Sequence, residues 1–169
     1  MVFASGKYKS IIMNSQTITR GIGLFGNALG KGLLAGLAGT AAITISQMIE
    51  MKITGRKPSE APAKAATKVL DVKAINVQHR PKFSQEVHWA YGTTWGVTRG
   101  LLALSGIKGW GATAIHFGAV MGTAMVMTPA LKVAPPVKEW GLKGILTDAM
   151  HHAVYALAAG LFFDAINDD

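Results

Sequence analysis

Between Trp110 and Leu131 the chain carries no Asp, Glu, Lys or Arg, and its apolar residues do not alternate with a polar face. No other feature of the sequence constrains the fold as strongly. A helix at the surface of a soluble protein keeps one polar side toward water. A helix that crosses the roughly 30 Å hydrocarbon layer of a bilayer instead needs about 20 mostly apolar residues all round. Lipid offers the backbone no hydrogen-bond partner, so such a segment must satisfy its own N–H and C=O groups, as a helix does. The competing reading, a soluble all-α protein with a buried helix, does not explain the missing polar face.

Three further stretches are read as spans. Residues 32–49 hold only uncharged polar groups (Thr40, Thr44, Ser46, Gln47), residues 87–106 hold Arg99 as their one charge, and residues 142–166 are the most polar, with Asp148, His151, His152 and Asp164. Charged residues make up 15% of the chain, against about 25% in soluble domains, and the deficit falls within these stretches. The expected fold is therefore all-α: an integral membrane bundle of four transmembrane helices with spans at about 32–49, 87–106, 110–131 and 142–166. The absence of cysteine excludes disulfides and thiolate metal sites. The net charge of +8 would suggest nucleic acid in a soluble protein; in a membrane protein it first bears on orientation, and no nucleic-acid partner is expected.

Outside the spans, residues 1–31 read as an N-terminal tail or interfacial segment. Of these, Met1 to Arg20 lack the apolar core and cleavage site of a signal peptide. The run Gly21–Gly26 matches a dinucleotide-binding glycine pattern by letter only, since no strand precedes it, and is read as a flexible or interfacial entry to the first helix. Residues 50–86 form a basic extramembrane connection with a short amphipathic helix, capped by Ser59 and with Pro62 in its first turn. Its Lys64, Lys68 and Asp71 share one face and Ala65, Val69 and Val72 another, a pattern suited to an anionic membrane surface. Four spans put both termini and the turn near Lys108 on one side, with Lys7, Lys9, Arg20 and Lys31. All other basic residues except Arg99 fall on the opposite side, which is expected to be cytoplasmic, leaving the termini periplasmic.

Two anchors recur in order. Gly39-Thr40-Ala41 matches Gly122-Thr123-Ala124, and His88-x-x-Tyr91 with Gly96 matches His152-x-x-Tyr155 with Gly160. They suggest two α-hairpin repeats about an axis along the membrane normal, as in parallel-repeat transporters. The run Gly-Leu-Ala-Gly-Thr-Ala-Ala at 36–42, the Gly-Arg-Lys-Pro-Ser-Glu-Ala-Pro at 55–62 and the two His-x-x-Tyr helices resemble an uncharacterised family of small four-helix bacterial inner-membrane proteins of unknown function. The resemblance covers about residues 32–165. It implies a bacterial inner-membrane address and no activity.

Two sets of residues are candidates for function. Gly32 and Gly36, then Gly92, Gly96 and Gly100, then Gly118 and Gly122 are spaced by four, which lets helix backbones approach closely; packing within the bundle is the expected role, with contact to another subunit as the alternative. The second set is a polar cluster of Glu86, His88 and Tyr91 with Asp148, His151, His152 and Tyr155. Asp148, one of the two histidines and Tyr155 share a helix face, and ionisable groups in membrane helices usually face the interior. His88 and His152 are expected to meet across the pseudo-axis, with Glu86 and Asp148 at the same level, as a hydrated cap. The rival expectation is that these histidines simply meet water and headgroups at one interface. Arg99 either snorkels to an interface or pairs with a carboxylate such as Asp164.

The leading expectation is a non-enzymatic scaffold or accessory subunit of a membrane assembly, with the bilayer and another membrane protein or a second copy as partners. A small transporter or channel using intramembrane Asp, His and Arg is the second reading. The third is a redox protein holding haem or a metal through its histidines; no cofactor is otherwise predicted, and no Glu-x-x-His or His-x-x-x-His spacing supports a metal site.

Overall fold

The computed structural model describes the backbone from residue 5 to residue 167 and the side chains from residue 15 to residue 167. The described residues form five helices and no strand: α1 (Ser5–Thr54), α2 (Ala61–Leu70), α3 (Arg80–Leu104), α4 (Gly109–Ala130) and α5 (Gly141–Asn167). Local chemistry sets the boundaries. α1 stops where Gly55 takes φ +73° and its N–H returns to the Met51 carbonyl at 2.9 Å, a conformation that favours glycine and closes a helix end. The N-cap position of α2 falls to Glu60 rather than to the expected Ser59, which accepts the Ala61 N–H at 3.1 Å from one residue earlier, and Pro62 sits in the first turn. α3 begins in the same way with a proline in its first turn.

The first helix differs from expectation. It does not begin near Gly32 but runs unbroken from Ser5, through the Gly21–Gly26 run, so that of the flexible or interfacial entry expected there the flexible form is not found. The glycines weaken a helix without stopping it, no proline interrupts the segment, and each added residue gains a backbone hydrogen bond once the helix exists. Residues 15–27 are all exposed. Packing starts at Ala28, whose carbonyl faces Gly100 near the end of α3, so the preceding turns of α1 extend beyond the α3–α4 turn.

α1 is the hub. It packs antiparallel to α3, matching Gly32 and Gly36 with Gly96 and Thr40 with Gly92, and antiparallel to α5, matching Gly39 with Tyr155 and Ser46 with His151. α3 and α5 therefore run in the same direction. α4 closes the arrangement against α5, where Gly160 meets Thr113, and against α3, where His116 reaches the Trp95 carbonyl. α2 lies on α3 with Ala63 and Ala66 buried, and the Ser84 hydroxyl donates to the Ser59 carbonyl. Val69 and Val72, read as part of the apolar face turned to a membrane surface, are exposed beside Leu70.

Three helices are long and apolar enough to cross a membrane: α1 within its Ser15–Thr54 portion, α4, and α5. Their outer surfaces are apolar, with Leu33, Leu34 and Leu37 of α1, Ile115 and Val126 of α4, and Leu161 and Phe162 of α5 all exposed. A solvent of lipid makes that inversion favourable, since the surface then costs nothing in water contact. These features place the chain among helical membrane proteins.

Candidate functional site

The seam between α1 and α3 is built from glycine. A Cβ on Gly32 would stand 2.6 Å from the Gly96 carbonyl oxygen, and one on Gly36 would stand 2.9 Å from the Gly96 Cα. Backbones thus touch where most helix pairs touch through side chains. Gly92 of α3 meets Thr40, and Gly39 of α1 lies under the ring of Tyr155. The Tyr155 hydroxyl donates to the Gly92 carbonyl at 2.6 Å, so one large side chain ties α5 to both glycine-lined helices. Gly118 and Gly122 depart from the expectation of packing within the bundle: a Cβ on either would meet nothing within 4 Å. They face away from the neighbouring helices because α4 turns its other side, with Ala112, Thr113, His116, Val120 and Met121, inward.

At the end of the packed helices nearest the 50–86 connection, a polar cluster forms. The buried His151 shares a hydrogen bond through Nδ1 with the Ser46 hydroxyl at 2.8 Å, and its Nε2 lies 3.9 Å from a Glu50 carboxylate oxygen. Arg56 grips that same oxygen through Nε at 2.9 Å and Nη2 at 2.7 Å, while the Thr54 hydroxyl donates to the other oxygen. His152 turns away from its neighbour and donates Nδ1–H to the Asp148 carbonyl at 2.9 Å, with the Asp148 carboxylate at 3.5 Å. His88 approaches from α3 and lies in electrostatic range of His152. The Thr44 hydroxyl already donates to Thr40, so it accepts from His88 Nε2 at 3.3 Å.

The structure thus brings His88, His152, His151 and Asp148 to one end, sets Tyr155 one turn deeper against Gly39, and leaves two expected members on other sides. Glu86 is exposed and pairs with Lys82 one turn before it at 3.9 Å. Tyr91 is 55% exposed and stacks edge-on against Trp95 on the outer face. Glu86 stands about 200° round α3 from His88 by the helix period, whereas Tyr91, three residues on, is turned outward because α3 presents Gly92 and Gly96 to α1. The sequence reading missed Glu50, Ser46 and Arg56. Their signal was present, as an acidic residue one turn after a serine at the end of the first span, but only the antiparallel register with α5 connects them to His151.

The second polar centre lies deeper. Arg99 is wholly buried and pairs through Nη2 with Asp164 of α5, the carboxylate that the sequence had offered as one alternative. Its guanidinium carbon also sits 5.0 Å over the ring of Phe163, a cation–π arrangement. Beside it, His116 of α4 donates Nε2–H to the Trp95 carbonyl at 3.1 Å and stacks edge-on against Tyr155 at 5.5 Å. Since Nε2 carries the proton, Nδ1 of the neutral ring is left as an acceptor.

The repeat anchors sit in unlike surroundings. Gly96 and Gly160 each abut the long helix that precedes their own. Gly39, however, is covered by Tyr155 whereas Gly122 is open, and Tyr155 is buried whereas Tyr91 is not. The described residues contain no group of three or more His, Asp or Glu placed to hold a metal ion. Compared with family models, curated proteins and solved structures, the chain matches none.

Proposed function

We propose that this protein is a four-span bacterial inner-membrane protein that acts by helix packing, as a scaffold or accessory subunit of a membrane assembly. The observation that carries the reading is the contrast between two glycine ridges. One, on α1 and α3, is closed within the chain. The other, Gly118 and Gly122 on α4, is open among exposed apolar residues. Ridges of this spacing associate in lipid through backbone approach and packing rather than through the hydrophobic effect, so the open one is suited to a helix of another subunit or a second copy. α3 serves as the fourth span in this reading. Its 25 residues rise by roughly 37 Å at about 1.5 Å per residue, enough to cross, and its charge at Arg99 is turned inward and paired.

Replacing Gly118 and Gly122 together by leucine is expected to leave the melting temperature of the isolated chain unchanged while abolishing its larger assembly in mild detergent, as read by light scattering. An assembly of unaltered mass would sink the open-ridge reading. Orientation is tested separately. With the 50–86 connection cytoplasmic, Ser59→Cys and Ser105→Cys are expected to react with an impermeant thiol reagent from opposite faces of the membrane. Labelling of both from one face would remove α3 as a span.

A further inference from the structure

The connection between α1 and α3 carries an apolar surface that the bundle does not cover. Val69 and Leu70 at the end of α2, and Val72, Ile75 and Val77 after it, are all exposed, Ile75 to 92%. Such a cluster is unfavourable in water, and a patch of this kind marks an interaction surface. Charge narrows the occupant. Residues 50–86 and 131–143, the two connections at this end, hold eleven of the seventeen Lys and Arg of the chain and only five acidic residues. Four of the five acids are already engaged: Glu50 pairs with Arg56, Glu60 with Lys64, Asp71 with Lys73 and Glu86 with Lys82. Lys57, Arg80 and Lys132 are exposed and form no ion pair among the described residues. A nucleic acid meets the cations but leaves the apolar side chains in water, and an apolar helix of another protein does the reverse. An anionic lipid leaflet meets both.

The segment is also held at the right level. Just before α2, the Ser59 carbonyl accepts from Ser84, in the second turn of α3. In the last turn of α2, Lys68 Nζ donates to the carbonyl of Leu131, the residue that ends α4, at 2.5 Å. Ala63 and Ala66 between these anchors are buried. α2 therefore lies along the ends of the spans instead of standing out into water, and the chain after Leu70 departs from the level where α4 ends. At that level the bilayer passes from hydrocarbon to head groups.

We propose that residues 57–80, together with Lys132, form a binding surface for anionic phospholipid in the leaflet on that side. Val69, Leu70, Val72, Ile75 and Val77 enter the interface, and Lys57, Arg80 and Lys132 take the phosphodiester head groups. Lys57 stands two residues before Ser59, Arg80 one turn before Ser84, and Lys132 directly after Leu131, so the three cations border both anchors of α2. Each basic residue close to an anionic surface strengthens attachment roughly fivefold, and three acting together do so on the order of a hundredfold. In a neutral bilayer the charges among the apolar residues, Asp71 and Lys73 included, keep the segment in water. The proposal depends on the membrane placement but not on the scaffold reading.

The chain has no cysteine, so Ile75→Cys accepts a single fluorescent bimane label. The labelled full chain is reconstituted in vesicles of phosphatidylcholine alone and of phosphatidylcholine with about 30 mol% phosphatidylglycerol, the anionic component. In the anionic vesicles, quenching by a nitroxide lipid is expected to be at least threefold stronger and quenching by aqueous acrylamide at least threefold weaker. Replacing Lys57, Arg80 and Lys132 together by glutamine is expected to return both to their values in phosphatidylcholine, at an unchanged melting temperature in neutral detergent. If that variant melts lower, 1 M NaCl on the labelled chain takes its place, with the same return expected from screening. Equal quenching in the two kinds of vesicle overturns the proposal, as does full contrast in the folded triple variant. A label open to acrylamide in both leaves the surface to a soluble occupant, a partner protein or a nucleic acid, and overturns it as well. Protein recovered below floated vesicles overturns the membrane placement, and the proposal with it.

Discussion

Asp164→Ala is expected to destabilise the protein by about 3–5 kcal/mol, the usual consequence of leaving a buried charge without its partner. Arg99 is 0% exposed, and its guanidinium lies over the Phe163 ring. Removing the carboxylate therefore strands a cation. The converse change is expected to cost less. Arg99→Met leaves Asp164 unpaired, but that side chain is 36% exposed and turns to the polar end of the helices, where the Lys31 ammonium already meets Asn167 at 3.4 Å. The ordering of the two losses is the informative result. Thermal unfolding in detergent of Asp164→Ala, Arg99→Met and the double variant measures it, with the double variant expected to be more stable than Asp164→Ala alone. If Asp164→Ala unfolds at the wild-type temperature, Arg99 has another partner and the pairing is not what holds α3 to α5.

The other large effect is expected at Gly96. Overpacking of a filled interior typically costs about 1–3 kcal/mol, and at Gly96 the obstruction is backbone, which cannot move aside as a side chain can. The Gly36 Cα lies 2.5 Å from where a Cβ on Gly96 would stand. Gly96→Ala should therefore fall at the upper part of that range and Gly96→Leu beyond it. Gly118→Ala, with open space around its Cβ position, should unfold at the wild-type temperature within error. Equal melting of Gly96→Ala and the wild-type chain would mean that α1 and α3 do not touch through this seam.

The contrast between the two glycine positions shows where sequence reasoning stops. All seven glycines in the spaced pairs and triplet look alike in sequence, because the spacing marks a ridge and says nothing of what faces it. The structure closes the α1–α3 ridge and leaves the α4 ridge open because the inward side of α4 is taken by His116, Thr113 and Val120. In lipid both sides of an apolar helix are equally well solvated, so hydropathy gives no rotational setting, as it does for an amphipathic helix in water.

The polar residues divide in the same way. The sequence by itself determined that the chain is helical, that it carries apolar segments of membrane-crossing length, and that its charges stand out by their rarity within them. It also determined that Asp148, one neighbouring histidine and Tyr155 share a face, since the helix period fixes angles between residues on one element. The tertiary structure alone decided which of them meet across elements. Glu50 and His151 are about a hundred residues apart, and only the antiparallel register of α1 and α5, set by Gly39 under Tyr155, brings them to 3.9 Å. Glu86 lies two residues from His88 and was expected beside it, yet that short distance turns it outward to Lys82. The physical reason is geometric: a helix fixes its own periodicity locally, whereas register and rotation between helices come from side-chain and backbone contacts between segments far apart in sequence.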